Sequence, residues 1–235
     1  MDTLEKVMLV VAVLAVVGFL GYLAWLAEKK RREALAALAQ RLGWSFDHSR
    51  DKSHDDQYAH FEIFRRGHSR AAYNTLTGDL KISGRPCPTK MGDFTYKVTR
   101  SSGKGTRTST YRFSYVILHL PFADVPDLLI RREGLWDKLT DAFGFDDIDF
   151  ESAEFSRRFH VKSPDKKFAY DVVHQRMMEF LLGGEPVGID IERGRCCLSD
   201  GRKRWEPKQF ESTLAWIGQF FDLWPEHVTA QLEQQ

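Results

Sequence analysis

Residues 7–27 read VMLVVAVLAVVGFLGYLAWLA, twenty-one consecutive positions without a charged side chain. As a helix rising about 1.5 Å per residue, this run is about 30 Å long, the thickness of a bilayer's hydrocarbon layer. A helix satisfies its own backbone N–H and C=O groups, as a spanning segment must. No polar stripe can be drawn through the run, whereas a helix packed on a soluble core would carry one. The chain opens MDTLEK, without the basic start of a secretory signal, and Ala24-Trp25-Leu26-Ala27 is a poor cleavage site. The reading is an uncleaved single-pass anchor over Val7–Leu26, with Tyr22 and Trp25 at the level of the headgroups.

Working outward from the anchor, Lys29, Lys30, Arg31 and Arg32 follow it directly, against a lone Lys6 before it. Basic residues beside a span stay in the cytoplasm, so the expected placement is the cell inner membrane, N-terminus outside and C-terminal domain cytoplasmic. The same cluster can attract anionic lipid headgroups. Cys87, Cys196 and Cys197 are odd in number and the last two are adjacent, which argues against a structural disulfide and agrees with a reducing compartment. A formal net charge of +1 gives no reason to expect a nucleic-acid partner.

The chain as a whole is 43% hydrophobic and 29% charged, a globular balance. Helical spacing of Ala34, Leu35, Leu38, Ala39 and Leu42 carries a juxtamembrane helix to Gly43. The polar stretch from Asp47 to Asp56 then reads as a loop. From about Tyr58 the period becomes two: Phe61 and Ile63, then Phe94, Tyr96 and Val98, then Tyr111, Phe113, Tyr115 and Ile117 in a run ending near Leu120. Turns are expected at Thr77-Gly78-Asp79, at Gly84 to Pro88 and between Ser101 and Ser109. Further on come a short helix over 135–143, strands over 155–161 and 187–191, and a helix presenting Ala169, Val172, Val173, Met177, Phe180 and Leu181. The last helix starts at Pro207 and carries Phe210, Thr213, Leu214, Ile217, Phe220, Phe221 and Trp224 on one side. The expectation is an α+β fold of three parts: residues 1–27 with the transmembrane helix, 28–57 as basic helix and polar loop, and 58–235 as one soluble domain. That domain would be an antiparallel sheet, or more specifically a partly open barrel, with helices on one side including the C-terminal amphipathic helix.

The segments Phe150 to Val161 (FESAEFSRRFHV), Lys167 to Tyr170 (KFAY) and Met177 to Leu182 (MMEFLL) resemble uncharacterised bacterial membrane-anchored proteins with a single cytoplasmic domain. The resemblance covers mainly the second half of the chain. It implies architecture and transfers no catalytic or binding residue.

No motif assigns chemistry. His48, His54, His60 and His68 with Asp47, Asp51, Asp55 and Asp56 offer metal donors, but their spacing matches no compact zinc pattern. The acidic run Asp146, Asp147, Asp149, Glu151 and Glu154 lacks the glycine and terminal glutamate of a calcium loop and reads as the outward face of a strand. Gly103-Lys104-Gly105-Thr106 falls short of a phosphate loop and reads as a hairpin. Cys196 and Cys197 read as strand residues on opposite faces. No cofactor, metal or catalytic residue is expected. Trp216 and Leu223 lie beside the last helix's stripe, where they form either a contact patch or the margin of a broader core that covers both. Three functions compete: a non-catalytic interaction or scaffolding domain at the membrane with an unknown protein partner; a membrane-associated enzyme using residues among Asp149, Glu151, His160 and His174; and an anionic-lipid sensor using Arg31, Arg32, Lys104 and Arg107.

Overall fold

The computed structural model describes residues 3–103, 105–122, 124–132, 147–184 and 188–234. Its first element, α1 (Thr3–Leu42), is one uninterrupted helix of 40 residues. It is long and apolar enough to cross a membrane, with a mean hydropathy of 2.7 over its most apolar window, and that window is entirely unburied. Its other end belongs to the globular part: Leu35, Leu38 and Ala39 are buried in the main core. Gly43 and Trp44 stop it, their N–H groups donating to the carbonyls of Gln40 and Ala39 in a Schellman-type closure.

Among the described residues eight strands follow: β1 (Ser45–Asp47), β2 (His68–Ile82), β3 (Arg85–Ser102), β4 (Gly105–His119), β5 (Leu128–Arg132), β6 (Phe159–Lys162), β7 (Gly188–Glu192) and β8 (Arg195–Ser199). They form one antiparallel sheet in the order β1-β2-β3-β4-β8-β7-β5-β6. The edges β1 and β6 do not meet, so the sheet is open and the barrel version of the fold does not hold. Nor do the helices keep to one side. The main core packs α1, α4 (Lys166–Val172), α5 (Gln175–Gly183), α6 (Pro207–Asp222) and α7 (Glu226–Glu233) on one face. On the other, α2 (His54–Gln57) and a 3-10 turn (Glu62–Arg65) cover an aromatic cluster of Tyr58, Phe61, Phe64, Phe94, Phe113 and Tyr115. The β4 alternation explains both: Phe113, Tyr115 and Ile117 enter the aromatic cluster while Val116 and Leu118 enter the main core. Cys196 and Cys197 likewise divide between the two.

Several local expectations are corrected. Phe61 caps the 3-10 turn and Ile63 lies within it rather than in a strand, and the 47–56 stretch is the end of a short strand, an Asp51–Ala72 bridge and most of α2. Gly78 is no turn but lies within β2, where any Cβ would overlap the Trp44 indole. The turn between β2 and β3 is Ser83-Gly84, with φ of +49° and +78°. Pro86 and Pro88 sit within β3, on a stretch bonded to β2 alone, where a missing N–H is tolerated. The segment 155–161 begins as a helix, α3 (Ala153–Arg158), whose Ser152 cap accepts from the Phe155 N–H, before becoming β6. The helix expected through Ala169 to Leu181 breaks into α4 and α5 at Val173-His174. The helix expected over 135–143 and the start of the strand at Val187 lie outside the described residues.

Candidate functional site

The most connected polar cluster joins α1 to the sheet. Alternation along β3 turns Met91 and Asp93 toward the main core and Phe94 and Tyr96 away from it, so Asp93 is an inward-facing carboxylate with no exposure. Burial of that charge demands a cation and hydrogen bonds. Arg31 supplies both through a two-pronged pairing, Nε to Oδ2 at 2.8 Å and Nη2 to Oδ1 at 2.6 Å. The Asn74 amide donates to Oδ2 at 3.1 Å and the Ser114 hydroxyl to Oδ1 at 2.8 Å. Ser114 also accepts from the Trp205 N–H, and its carbonyl accepts from the Ser199 hydroxyl. One turn nearer the N-terminus of α1, Glu28 pairs with Arg204 at 2.6 Å. Five segments therefore converge where the apolar helix enters the domain.

This arrangement separates the four basic residues that follow the apolar stretch of α1. Arg31 is committed to Asp93, whereas Lys30 and Arg32 are exposed and Lys29 reaches Glu33 at 4.0 Å and lies over the Trp25 ring. Tyr22 and Trp25 are exposed and stack on each other, centroids 6.1 Å apart. Trp216 and Leu223 sit at the core's margin: half-buried Trp216 stacks on Phe180 at 5.0 Å, and half-buried Leu223 packs against the main core while its carbonyl bonds His174.

The remaining titratable groups are engaged separately. His54, read as part of a solvated loop, is fully buried because α2 turns it inward, with ring centroids of Tyr58, Phe64 and Tyr115 within 5 Å. Burial, with Lys90 nearby, lowers its pKa to about 3. Burial and the Arg195 guanidinium lower His60 to about 4. His68 bonds Ser69 and Thr99, Asp47 holds Ser49, Asp51 holds Ser53 and Lys90, and Asp55 pairs with Arg70. Among the described residues no three such donors are grouped as a metal site. Of the enzyme candidates, His160 meets Asp147, His174 meets the Leu223 carbonyl, and Asp149 offers its carbonyl to Tyr170. None of these contacts joins one candidate to another.

A second buried pair, Arg131 and Asp190 at 3.5 Å, lies on the aromatic-cluster side beside Ile63, Gly188, Cys197 and Ser199. These line a cavity of about 10 Å³, room for about one water. Burial raises Asp190 to about 7, and burial holds the Cys197 thiol well above its ordinary range, hence protonated and unreactive. The cavity has a proton acceptor but no activated nucleophile beside it.

The buried histidine gives a pH prediction. His54 stays neutral when folded and takes a proton near pH 6.5 when unfolded, so its contribution to stability is intact above pH 6.5 and declines as pH falls toward 3. Relative to His54→Leu, the wild-type chain should lose about 2 kcal/mol between pH 7 and pH 5. Paired denaturant titrations at the two pH values measure the difference, and parallel behaviour of the two proteins would show that His54 is not shielded.

No family model matches the chain, and no curated protein matches it by sequence. Among solved structures, its fold is similar to the crystal structure of the mycobacterial trehalose monomycolate transport factor A, TtfA, with a TM-score of 0.52 at 11% sequence identity, covering 83% of this chain and 96% of that one.

Proposed function

We propose that the chain is a single-pass protein of the bacterial inner membrane, anchored by Val7–Leu26, whose cytoplasmic domain is a non-catalytic interaction or scaffolding module for a protein partner at the membrane. One observation carries this reading: the apolar helix is not a flexible leash but continues without a break into the core, where Arg31 locks it to Asp93. An enzyme acting on a soluble substrate gains nothing from such a rigid mount, whereas a module that must meet another membrane-bound protein gains a fixed height and orientation. The similarity in fold to a transport factor is in keeping with an accessory role in a membrane process. The scattered engagement of the candidate acids and histidines favours interaction over catalysis.

Orientation is tested with a reporter that is active only outside the cytoplasm, fused after Gln235. The fusion is expected to be silent, and reporter activity would reverse the topology. Neutralising Lys29, Lys30 and Arg32 while keeping Arg31 should weaken the orientation preference without opening the Asp93 pair. Site-specific crosslinking from the exposed surface in native membranes then asks for the partner; crosslinks to lipid alone would count against a scaffold.

A further inference from the structure

Between Asp93 and Asp124 the chain has no acidic residue, yet it carries Lys97, Arg100, Lys104, Arg107 and Arg112. The structure places Lys97, Arg100 and Arg107 on the outer part of the β3–β4 hairpin. The ladder runs from Thr89–Leu118 out to Ser102–Gly105, but β2 leaves β3 at Lys97 and β8 touches β4 only from Val116 to His119. Tyr96 and Tyr111, stacked at 5.1 Å, form the root. Beyond them a two-stranded ribbon projects, largely exposed on both faces. Arg100 and Arg107 stand directly opposite each other, both exposed. Like charges in that position repel, and an anion placed between them removes the penalty.

The ribbon points the same way as the anchor. From Leu42 to Arg31, α1 advances about 16 Å. Trp44, just past Leu42, covers Gly78, whose partner on β3 is Thr89, and from Thr89 to Asp93 that strand advances about 13 Å. Helix and strand thus run side by side, and the N-terminal direction of α1 is the C-terminal direction of β3. Past the Arg31–Asp93 lock, α1 reaches Ala27 after about 6 Å, whereas the ribbon continues for about 33 Å to Gly103. It overshoots the level at which the anchor becomes apolar. Its Thr, Ser, Lys and Arg side chains have no place in hydrocarbon, and the strong twist of a two-stranded ribbon turns it aside.

We propose that this ribbon is a second membrane contact, lying along the headgroup layer and binding anionic lipid headgroups of the bilayer that holds the chain's own anchor. The inference rests on the anchored reading above and adds a lipid preference that the anchor by itself lacks. Each basic residue held near an anionic surface strengthens attachment by about fivefold, so Arg100 and Arg107 together carry a measurable share.

The test uses the full chain in nanodiscs of phosphatidylcholine, with or without phosphatidylglycerol. Cys87, Cys196 and Cys197 are buried, so a nitroxide can be directed to Ser102→Cys. With phosphatidylglycerol, collisions with an aqueous nickel chelate should fall several-fold, and the protection should vanish in about 1 M salt. Arg100→Glu with Arg107→Glu should abolish it, and the milder Arg100→Gln with Arg107→Gln should reduce it. A companion label at Leu14→Cys separates the two ideas. If Leu14 is shielded while Ser102 stays equally accessible in both lipids, the ribbon proposal falls and the anchor stands. If Leu14 is freely accessible to the chelate, the anchored reading falls and the ribbon proposal with it. Protection of Ser102 by an added RNA duplex but not by phosphatidylglycerol would also overturn the proposal.

Discussion

Arg31→Met is expected to lower the unfolding free energy of the full chain by about 3–5 kcal/mol, the range for removing one partner of a buried ion pair. Methionine keeps most of the aliphatic stem, so the loss isolates the charge. The Asp93 carboxylate, with no exposure of its own, would keep the Asn74 and Ser114 donors but lose its only cation within pairing distance among the described residues. Adding Asp93→Asn to the same chain should recover most of the loss, since nothing charged is then left buried. Denaturant midpoints in a neutral detergent measure both. A double variant as unstable as the single one would mean that Arg31 acts through packing rather than through Asp93.

Phe221→Ala should be comparably damaging, about 3–5 kcal/mol. Phe221 is 2% exposed and sits on α6 with its ring centroid 5.2 Å from Phe220 and 5.0 Å from Trp224. Removing it opens a cavity where the C-terminal helix meets the main core. A loss below about 1 kcal/mol, the typical effect of an unremarkable substitution, would show that this stripe does not face the core.

The elements readable from sequence were those with long, single-period patterns. α1 with its Gly43 stop, the β4 alternation and the α6 stripe starting at Pro207 all carry ten or more residues of consistent signal. Short elements did not: two apolar residues at Phe61 and Ile63 fit a strand and a 3-10 turn equally well. The burial of His54 was hidden because its neighbours Asp51, Lys52 and Asp56 are polar, and only the turn of α2 sends His54, with Asp55 beside it, inward past them. The junction was half legible. Arg31 could be found as one of four basic residues after the apolar run, but its partner lies 62 positions away. The partner itself was not legible: the alternation of Phe94, Tyr96 and Val98 puts Asp93 on the side opposite the apolar one, and only a sheet covered on both faces turns that side into a core, where such a charge needs a cation.

The unbroken passage of α1 from its apolar part into the core also fixes an azimuth. Each residue of a helix turns about 100° around its axis, so the compass bearing of the sheet about the apolar part of α1 is set by the number of residues between Trp25 and Arg31. With the apolar part in a bilayer as proposed, a single residue inserted there would swing the whole domain through more than a quarter circle while leaving its fold and its distance from the bilayer nearly unchanged, and any neighbour in the same membrane would be faced by a different side of the sheet.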